Sequence, residues 1–284
     1  KIFIQFSWLK LRLGKELVIE NKVLNKKEQV VLYEEQKGVA IVTLNRPEQH
    51  NALSKLLLKS LESIFESIKG NDNIKSVVIF ANGPSFCSGH DLKEMRQKSS
   101  KYEYKELFEL CSKVMTNIVR LPKPVIAGVQ GTATAAGCQL VASCDLAIAS
   151  KNSKFATPGV NIGLFCSTPM VALSRNVHRK HAMEMLLLGD LIDTDKAMEI
   201  GLINRSVKSE YLKEETLSLA FKIASKSSTI LAIGKEAFYK QLEMDLELAY
   251  KYTTKIMTLN MLEQDAIEGI SAFIERRPPN WNKK

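Results

Sequence analysis

The chain has 284 residues, 45% apolar and 25% charged, the balance of a folded globular protein; this excludes a disordered or fibrous chain. Its formal charge of +9 lies at the ends: residues 1–30 carry seven Lys or Arg against three Glu, and residues 276–284 carry Arg276, Arg277, Lys283 and Lys284 with no acid, which leaves the body nearly neutral. A nucleic-acid groove recruits Lys and Arg from the folded body with aromatics between them, so no nucleic-acid partner is expected.

No membrane span is expected either, because the most apolar stretch, Val125 to Ala149, is broken by Gln130, Gln139, Ser143 and Asp145. Cys87, Cys111, Cys138, Cys144 and Cys166 form an odd set without CxxC pairs or metal-ligand spacing, which reads as reduced structural thiols and no metal site. Residues 1–30 mix basic and apolar side chains with Glu16, Glu20 and Glu28, acids that transit peptides avoid, so no compartment is read from them.

In chain order, Gly38 to Asn45 is β-branched and reads as a strand ended by Arg46-Pro47. Leu53, Leu56, Leu57, Leu61, Ile64, Phe65 and Ile68 keep helical spacing between Ser54 and Gly70. Lys75 to Ala81 is a second strand, continuous in its apolar run as a strand buried on both faces should be. A Gly/Pro-rich loop, Asn82 to Asp91, leads into polar helical sequence up to Arg120. Val125 to Val129 is a third strand, Gly131 to Gly137 a small-residue turn, Gly137 to Ser143 an apolar helix and Asp145 to Ala149 a fourth strand. From Leu173 the pattern is helical. The expected fold is an α/β body with a helical C-terminal third, whose Ile256, Met257, Leu259, Leu262, Ile267, Ile270 and Phe273 exceed one stripe and favour subunit packing.

No nucleophile elbow, HExxH, Walker loop or GxGxxG is present. What remains are two small-residue loops, each after a buried strand: Phe86-Cys-Ser-Gly-His-Asp91 and Gly131-Thr-Ala-Thr-Ala-Ala-Gly137. Backbone N–H groups at such turns and at the first turn of a following helix lack intrahelical partners. Two of them converging on one oxygen would stabilise an enolate or a tetrahedral thioester intermediate.

The runs Ser85-Phe-Cys-Ser-Gly-His-Asp-Leu-Lys-Glu94, Lys123-Pro-Val-Ile-Ala-Gly-Val-Gln-Gly131, Ala136-Gly-Cys-Gln-Leu-Val-Ala-Ser-Cys-Asp145 and Phe155-Ala-Thr-Pro158 resemble the crotonase (enoyl-CoA hydratase/isomerase) superfamily. Leu44-Asn-Arg-Pro47, Asn51-Ala-Leu53 and Glu268 to Phe273 extend the resemblance over about residues 30–280. It implies a ClpP-like ββα spiral with an acyl-CoA site over residues 31–200, a helical trimerisation region over 201–284 and an extension over 1–30. It also implies a homotrimer or dimer of trimers in mitochondrial or cytoplasmic fatty-acid metabolism, with coenzyme A thioester as substrate or ligand and no separate cofactor.

Carried over by motif, the oxyanion donors fall on the backbone N–H of His90 and Ala136. Gln49, His50, Ala52, Ser88, Gly89, Asp91 and Leu92 line the nucleotide and pantetheine path, and Arg276 helps hold adenine-nucleotide phosphate. The superfamily's hydratases use two glutamates to hold and activate water, and here those positions carry Gln139 and Gly159. Gln is no general base near neutral pH and Gly has no side chain, so hydration loses both proton carriers, each ordinarily contributing ~10²- to 10⁴-fold.

The His90 ring serves either as a proton carrier or only as the bearer of its amide. Asp91 reads as a loop cap, Ser167 as the N-cap of a helix entering at Pro169, Asp145 as structural, and His178 and His181 as an exposed basic face. Cys166 is no ready base. Two functions stay open: an acyl-CoA lyase- or hydrolase-type enzyme relying on the oxyanion hole, with weak hydratase or isomerase activity as a variant, and a non-catalytic acyl-CoA-binding regulator.

Overall fold

The computed structural model describes residues 18–19, 22–23, 29–97 and 99–281. Most of the extension expected over 1–30, with its basic residues other than Lys22, and Lys283 and Lys284 lie outside the described residues. After a two-residue pairing of Val18–Ile19 with Lys22–Val23, the body opens with β1 (Val31–Gln36) and β2 (Val39–Leu44). They form an antiparallel hairpin whose turn residues, Lys37 and Gly38, both have positive φ (49° and 79°), as a two-residue turn matched to strand twist requires.

β3 (Ser76–Ala81), β4 (Val125–Val129), β6 (Leu146–Ser150) and β8 (Arg205–Val207) complete a six-stranded sheet in the order β8-β6-β4-β3-β2-β1, parallel from β2 onward. β5 (Thr132–Thr134) and β7 (Lys154–Ala156) form a separate parallel pair. β5 lies inside the segment expected to be a plain turn, and β1 has no counterpart in the expected elements. Strand status at both comes from pairing, not from apolar content: β1 is exposed over Glu34 to Gln36.

Alternation along β2 shows why the central strands are apolar throughout. Ala40, Val42 and Leu44 join the main core, whereas Val39 and Ile41 join a second cluster with Val78, Phe80 and Ile126. That second face is covered by α8 (Leu212–Ala224) through Ala220 and Ala224. The main face receives α1 (Lys55–Lys69), capped by Ser54, whose Oγ accepts from Leu57 N at 3.2 Å. Leu57, Leu58, Leu61, Ile64, Phe65 and Ile68 are buried, but Leu56, expected on this face, is 50% exposed because Leu58 takes its place.

Between the strands lie α2 (Leu92–Gln97), α3 (Lys101–Arg120) and α4 (Ala136–Ser143), the last buried at every residue. The chain continues through α5 (Pro169–Asn176), α6 (Arg179–Leu188) and α7 (Thr194–Glu199). The residue preceding α5 is Thr168, without a side-chain capping bond, and the Ser167 hydroxyl instead donates to Phe165 O, so the expected Ser167 cap is corrected.

α9 (Ser228–Gln241), α10 (Leu246–Asn260) and α11 (Gln264–Ile274) end the chain. α9 is tied to the body by Lys235, whose buried Nζ donates to Ile118 O (2.9 Å), Lys123 O (3.0 Å) and Asp145 Oδ2 (2.7 Å). Burial lowers the Lys235 amine below its usual range, opposed by the Asp145 charge. Asp145 also accepts from Val125 N (2.7 Å) and from the Tyr239 hydroxyl (2.9 Å), which is the structural role expected for it. The five cysteines are free and buried. Among the described residues, no helix is long and apolar enough to cross a membrane.

Candidate functional site

The two small-residue loops meet backbone to backbone. Cys87 N donates to Thr132 O (3.1 Å), Thr134 N to Cys87 O (2.9 Å) and the Thr134 hydroxyl to Ser88 O (3.1 Å). Such closeness demands residues without side chains. A Cβ on Gly137 would lie 2.1 Å from Cys87 O, and one on Gly89 would lie 2.9 Å from Ala135 Cβ and 3.4 Å from Ala136 N.

These contacts bring His90 and Ala136 to one place. Ala136 is the first residue of α4, where an amide has no intrahelical acceptor, and the residue before it, Ala135, is held at φ 50° and ψ −118° by its N–H bond to Ala156 O (2.9 Å). A non-glycine residue at positive φ stores strain. The bonds that join the loops use the amides of Cys87 and Thr134, Ala135 N is taken by Ala156 O, and the amides of His90 and Ala136 are left out.

The His90 loop is positioned from β2 and the turn after it. Arg46 donates to Ala52 O (2.6 Å) and Asp91 Oδ2 (2.9 Å). Asn51, fully buried at φ 53°, accepts from Arg46 N (2.8 Å) through Oδ1 and donates to Asn82 O (2.9 Å) and Ser85 O (2.8 Å) through Nδ2. Leu53 N then donates to Gly89 O (2.7 Å) and Asp91 N to Leu53 O (3.3 Å). The bracing roles of Arg46 and Asn51 have no local sequence signal: their partners lie on other segments.

Of the expected path residues, Gln49, His50, Ser88 and Leu92 are exposed and Ala52 and Gly89 buried. His50 Nδ1 is 3.0 Å from Ser85 Oγ, and Ser88 N donates to His50 O (3.0 Å), so the Gln49–Ala52 turn and the Ser88–Leu92 segment are neighbours. Arg276 is exposed beyond α11, and among the described residues no hydrogen bond or ion pair joins it to either loop.

Carboxylates near the loops are engaged. Asp91 Oδ1 accepts from the amides of Lys93 (3.1 Å) and Glu94 (3.2 Å), and Glu94 Oε2 from Lys55 N (3.0 Å). Lys55 Nζ pairs with Glu103 and Glu106. Burial works to raise the Asp91 carboxyl, but the Arg46 guanidinium and the two amides more than offset it and hold it below its usual range.

Gly159 follows Pro158, and a Cβ there would lie 2.9 Å from both Cys166 Sγ and Leu164 O. The turn Leu164–Cys166 therefore fills the space into which a side chain would grow. Gln139 is 4% exposed, with Oε1 lacking a partner. The His90 ring packs edge-on against Phe108 (5.3 Å between centroids), and burial pushes its pKa down to about 4 against an opposing contact with the Leu53 backbone. It is neutral at pH 7. Thr157, which the sequence did not single out as a site residue, is 1% exposed with an unpartnered hydroxyl.

A family model described as Enoyl-CoA hydratase/isomerase matches residues 34–284. The chain is 49% identical over 248 residues to mouse (Mus musculus) "Enoyl-CoA hydratase domain-containing protein 3, mitochondrial", covering 87% of this chain and 83% of that one. The crystal structure of human enoyl Coenzyme A hydratase domain-containing protein 3 superposes with a TM-score of 0.87 at 47% identity, covering 89% of this chain and all of that one (100%). A Mycobacterium smegmatis enoyl-CoA hydratase structure gives 0.87 at 48% identity, with 89% and 99% covered. With the family model matching residues 34–284 and solved relatives superposing over 89% of the chain, the chain belongs to the enoyl-CoA hydratase/isomerase family and has its crotonase fold.

Proposed function

We propose that the chain binds a coenzyme A thioester with the thioester oxygen accepting from the backbone amides of His90 and Ala136. The observation that carries this is the contact of Gly89 with the first turn of α4, where the place of a Cβ on Gly89 lies 3.4 Å from Ala136 N. Two fixed amides in a buried setting stabilise negative charge on that oxygen without reorganising. Gln49, His50, Ala52, Ser88, Gly89, Asp91 and Leu92 carry the nucleotide and pantetheine, with Arg276 on the phosphates and no separate cofactor. The names of the relatives support a mitochondrial setting, and the reading places the chain in fatty-acid metabolism. Exposed apolar residues on α10 and α11 support a homotrimer or dimer of trimers.

Water addition by a carboxylate pair is not the reaction, since Gln139 and Gly159 supply no base and the turn at Cys166 closes the second position. The chemistry left is that of an oxyanion hole alone, as in lyase- or hydrolase-type turnover of an acyl-CoA. A second reading, a regulator that binds acyl-CoA without turnover, is favoured by the engaged state of Asp91, Glu94, Glu103 and Glu106 and the neutral His90 ring.

Purified protein is expected to bind acyl-CoA esters in calorimetry and to hydrate crotonyl-CoA at least about 10⁴-fold more slowly than a relative with both glutamates. Comparable hydration would overturn the reading of Gln139 and Gly159, and failure to bind any ester would overturn the site. Product from saturated or malonyl-type esters separates enzyme from regulator.

A further inference from the structure

Ala135 has φ 50° and ψ −118°, the conformation of the first central residue of a type II′ turn, where glycine is the usual occupant. A side chain in that conformation is strained and persists only where its surroundings fix it. Here they fix it on both sides. Ala135 N donates to Ala156 O (2.9 Å) and Ala135 O accepts from Gln139 N (3.0 Å), so the paired strand β5 reverses into α4 within this one residue. Glycine would make the same turn without strain, and the backbone path therefore gives no reason for a methyl.

The methyl acquires a reason from what it meets. Ala135 is half-buried and packs against the main core, and its Cβ stands 2.9 Å from the place that a Cβ on Gly89 would take. The same direction from Gly89, which has φ 96°, meets Thr134 O at 3.2 Å and Ala136 N at 3.4 Å. Gly89 and Ala135 are the residues immediately before the two proposed donors. Because a peptide unit is planar, the ψ angle of each aims the amide that follows it, that of His90 in one loop and that of Ala136 in the other. Glycine at both positions would leave each amide free to swing, whereas a methyl on one side confines the pair.

We infer that Ala135 is a positioning residue: its methyl, set against Gly89, fixes the separation and direction of the His90 and Ala136 amides, and the strained turn is retained for that rigidity. This rests on the thioester site proposed above. Fixed donors stabilise charge on an oxygen without reorganising, so the effect belongs to the carbonyl group of the ligand and not to the rest of it.

The test compares hexanoyl-CoA with hexyl-CoA, the thioether that lacks the carbonyl oxygen, by calorimetry on the full chain as wild type, A135G and A135S. Wild type is expected to prefer the thioester. That preference is expected to fall about tenfold in A135G, the effect of weakening one neutral hydrogen bond, and to be kept in A135S, which retains the Cβ. In infrared difference spectra, the carbonyl stretch of labelled hexanoyl-CoA is expected to lie lower in the wild-type complex than in free ligand and to move back toward the free value in A135G. A135G is expected to melt no lower than wild type, because glycine relieves the positive φ, so lost preference is not lost folding. An unchanged preference in A135G, an equal loss for both ligands, a lowered Tm in A135G, or a loss in A135S as large as in A135G would overturn the inference while leaving the thioester site intact. A wild type that binds both ligands equally and leaves the carbonyl stretch unshifted would instead overturn the site itself.

Discussion

His90 divides its work between backbone and ring. In the proposed function the amide donates to the thioester oxygen, whereas the imidazole packs edge-on against Phe108 and is held neutral by burial. That neutrality has a pH consequence. Burial pushes the folded pKa to about 4, against ~6.5 in the unfolded chain. Between those values the unfolded state binds the proton that the folded state refuses, so stability rises with pH and is lost as pH falls from about 6.5 toward 4. His90 alone is expected to cost about 2 kcal/mol of stability between pH 7 and pH 5. Urea midpoints of the wild type and H90F at both pH values check this, and an unchanged difference in H90F would sink it. The residue type at position 90 was legible; its burial was not, because Phe108 comes from α3, a separate element.

The helix α4 shows how an element is built for a neighbour and not for itself. It begins on a strained Ala135, carries a glycine in its first turn and is buried at every residue. Its apolar run and flanking glycines identify it as a helix in the sequence, but the need for Gly137 comes from Cys87 O, 2.1 Å from where a Cβ would stand. G137A is therefore expected to force the two loops apart, costing about 1–3 kcal/mol as overpacked sites do and weakening thioester binding at least tenfold. Chemical denaturation and calorimetry measure both. Wild-type affinity in a stably folded G137A protein would show that the two loops do not form one site. The short strands β5 and β7 escaped the sequence reading for a related reason: three-residue strands carry too few residues for a periodic pattern, and only their mutual pairing makes them strands.

At the level of the molecule, the C-terminal helices present more apolar surface than one chain covers. Met257 is 60% exposed, Leu262 70%, Phe273 85% and Ile274 73%, and α11 buries only Asp265 and Ala272. Exposed apolar area on this scale marks an interaction surface. Sedimentation equilibrium is expected to give a mass three or six times that of one chain, and the double variant L262D/F273D a smaller species. A monomeric wild type would refute the expected assembly. The apolar excess on these helices was visible in the sequence, since its positions exceed a single stripe. That the body buries none of those positions, leaving all but Ile256 exposed, was decided only by the fold.

The sequence by itself determined the alternation of strands and helices, the two small-residue loops and, through its motifs, a family resemblance that implies Gln139 and Gly159 where hydratases carry glutamates. These are local facts: apolar periodicity, turn residues and ordered motifs are all written within a few neighbouring positions. The tertiary structure decided what those positions face. It closed the side-chain space of Gly159 with the turn at Cys166, packed the His90 ring edge-on against Phe108 and set Gly89 and Gly137 against the backbone of the opposite loop. Burial and hydrogen-bond satisfaction depend on atoms brought together from distant segments, and no window of sequence contains both partners.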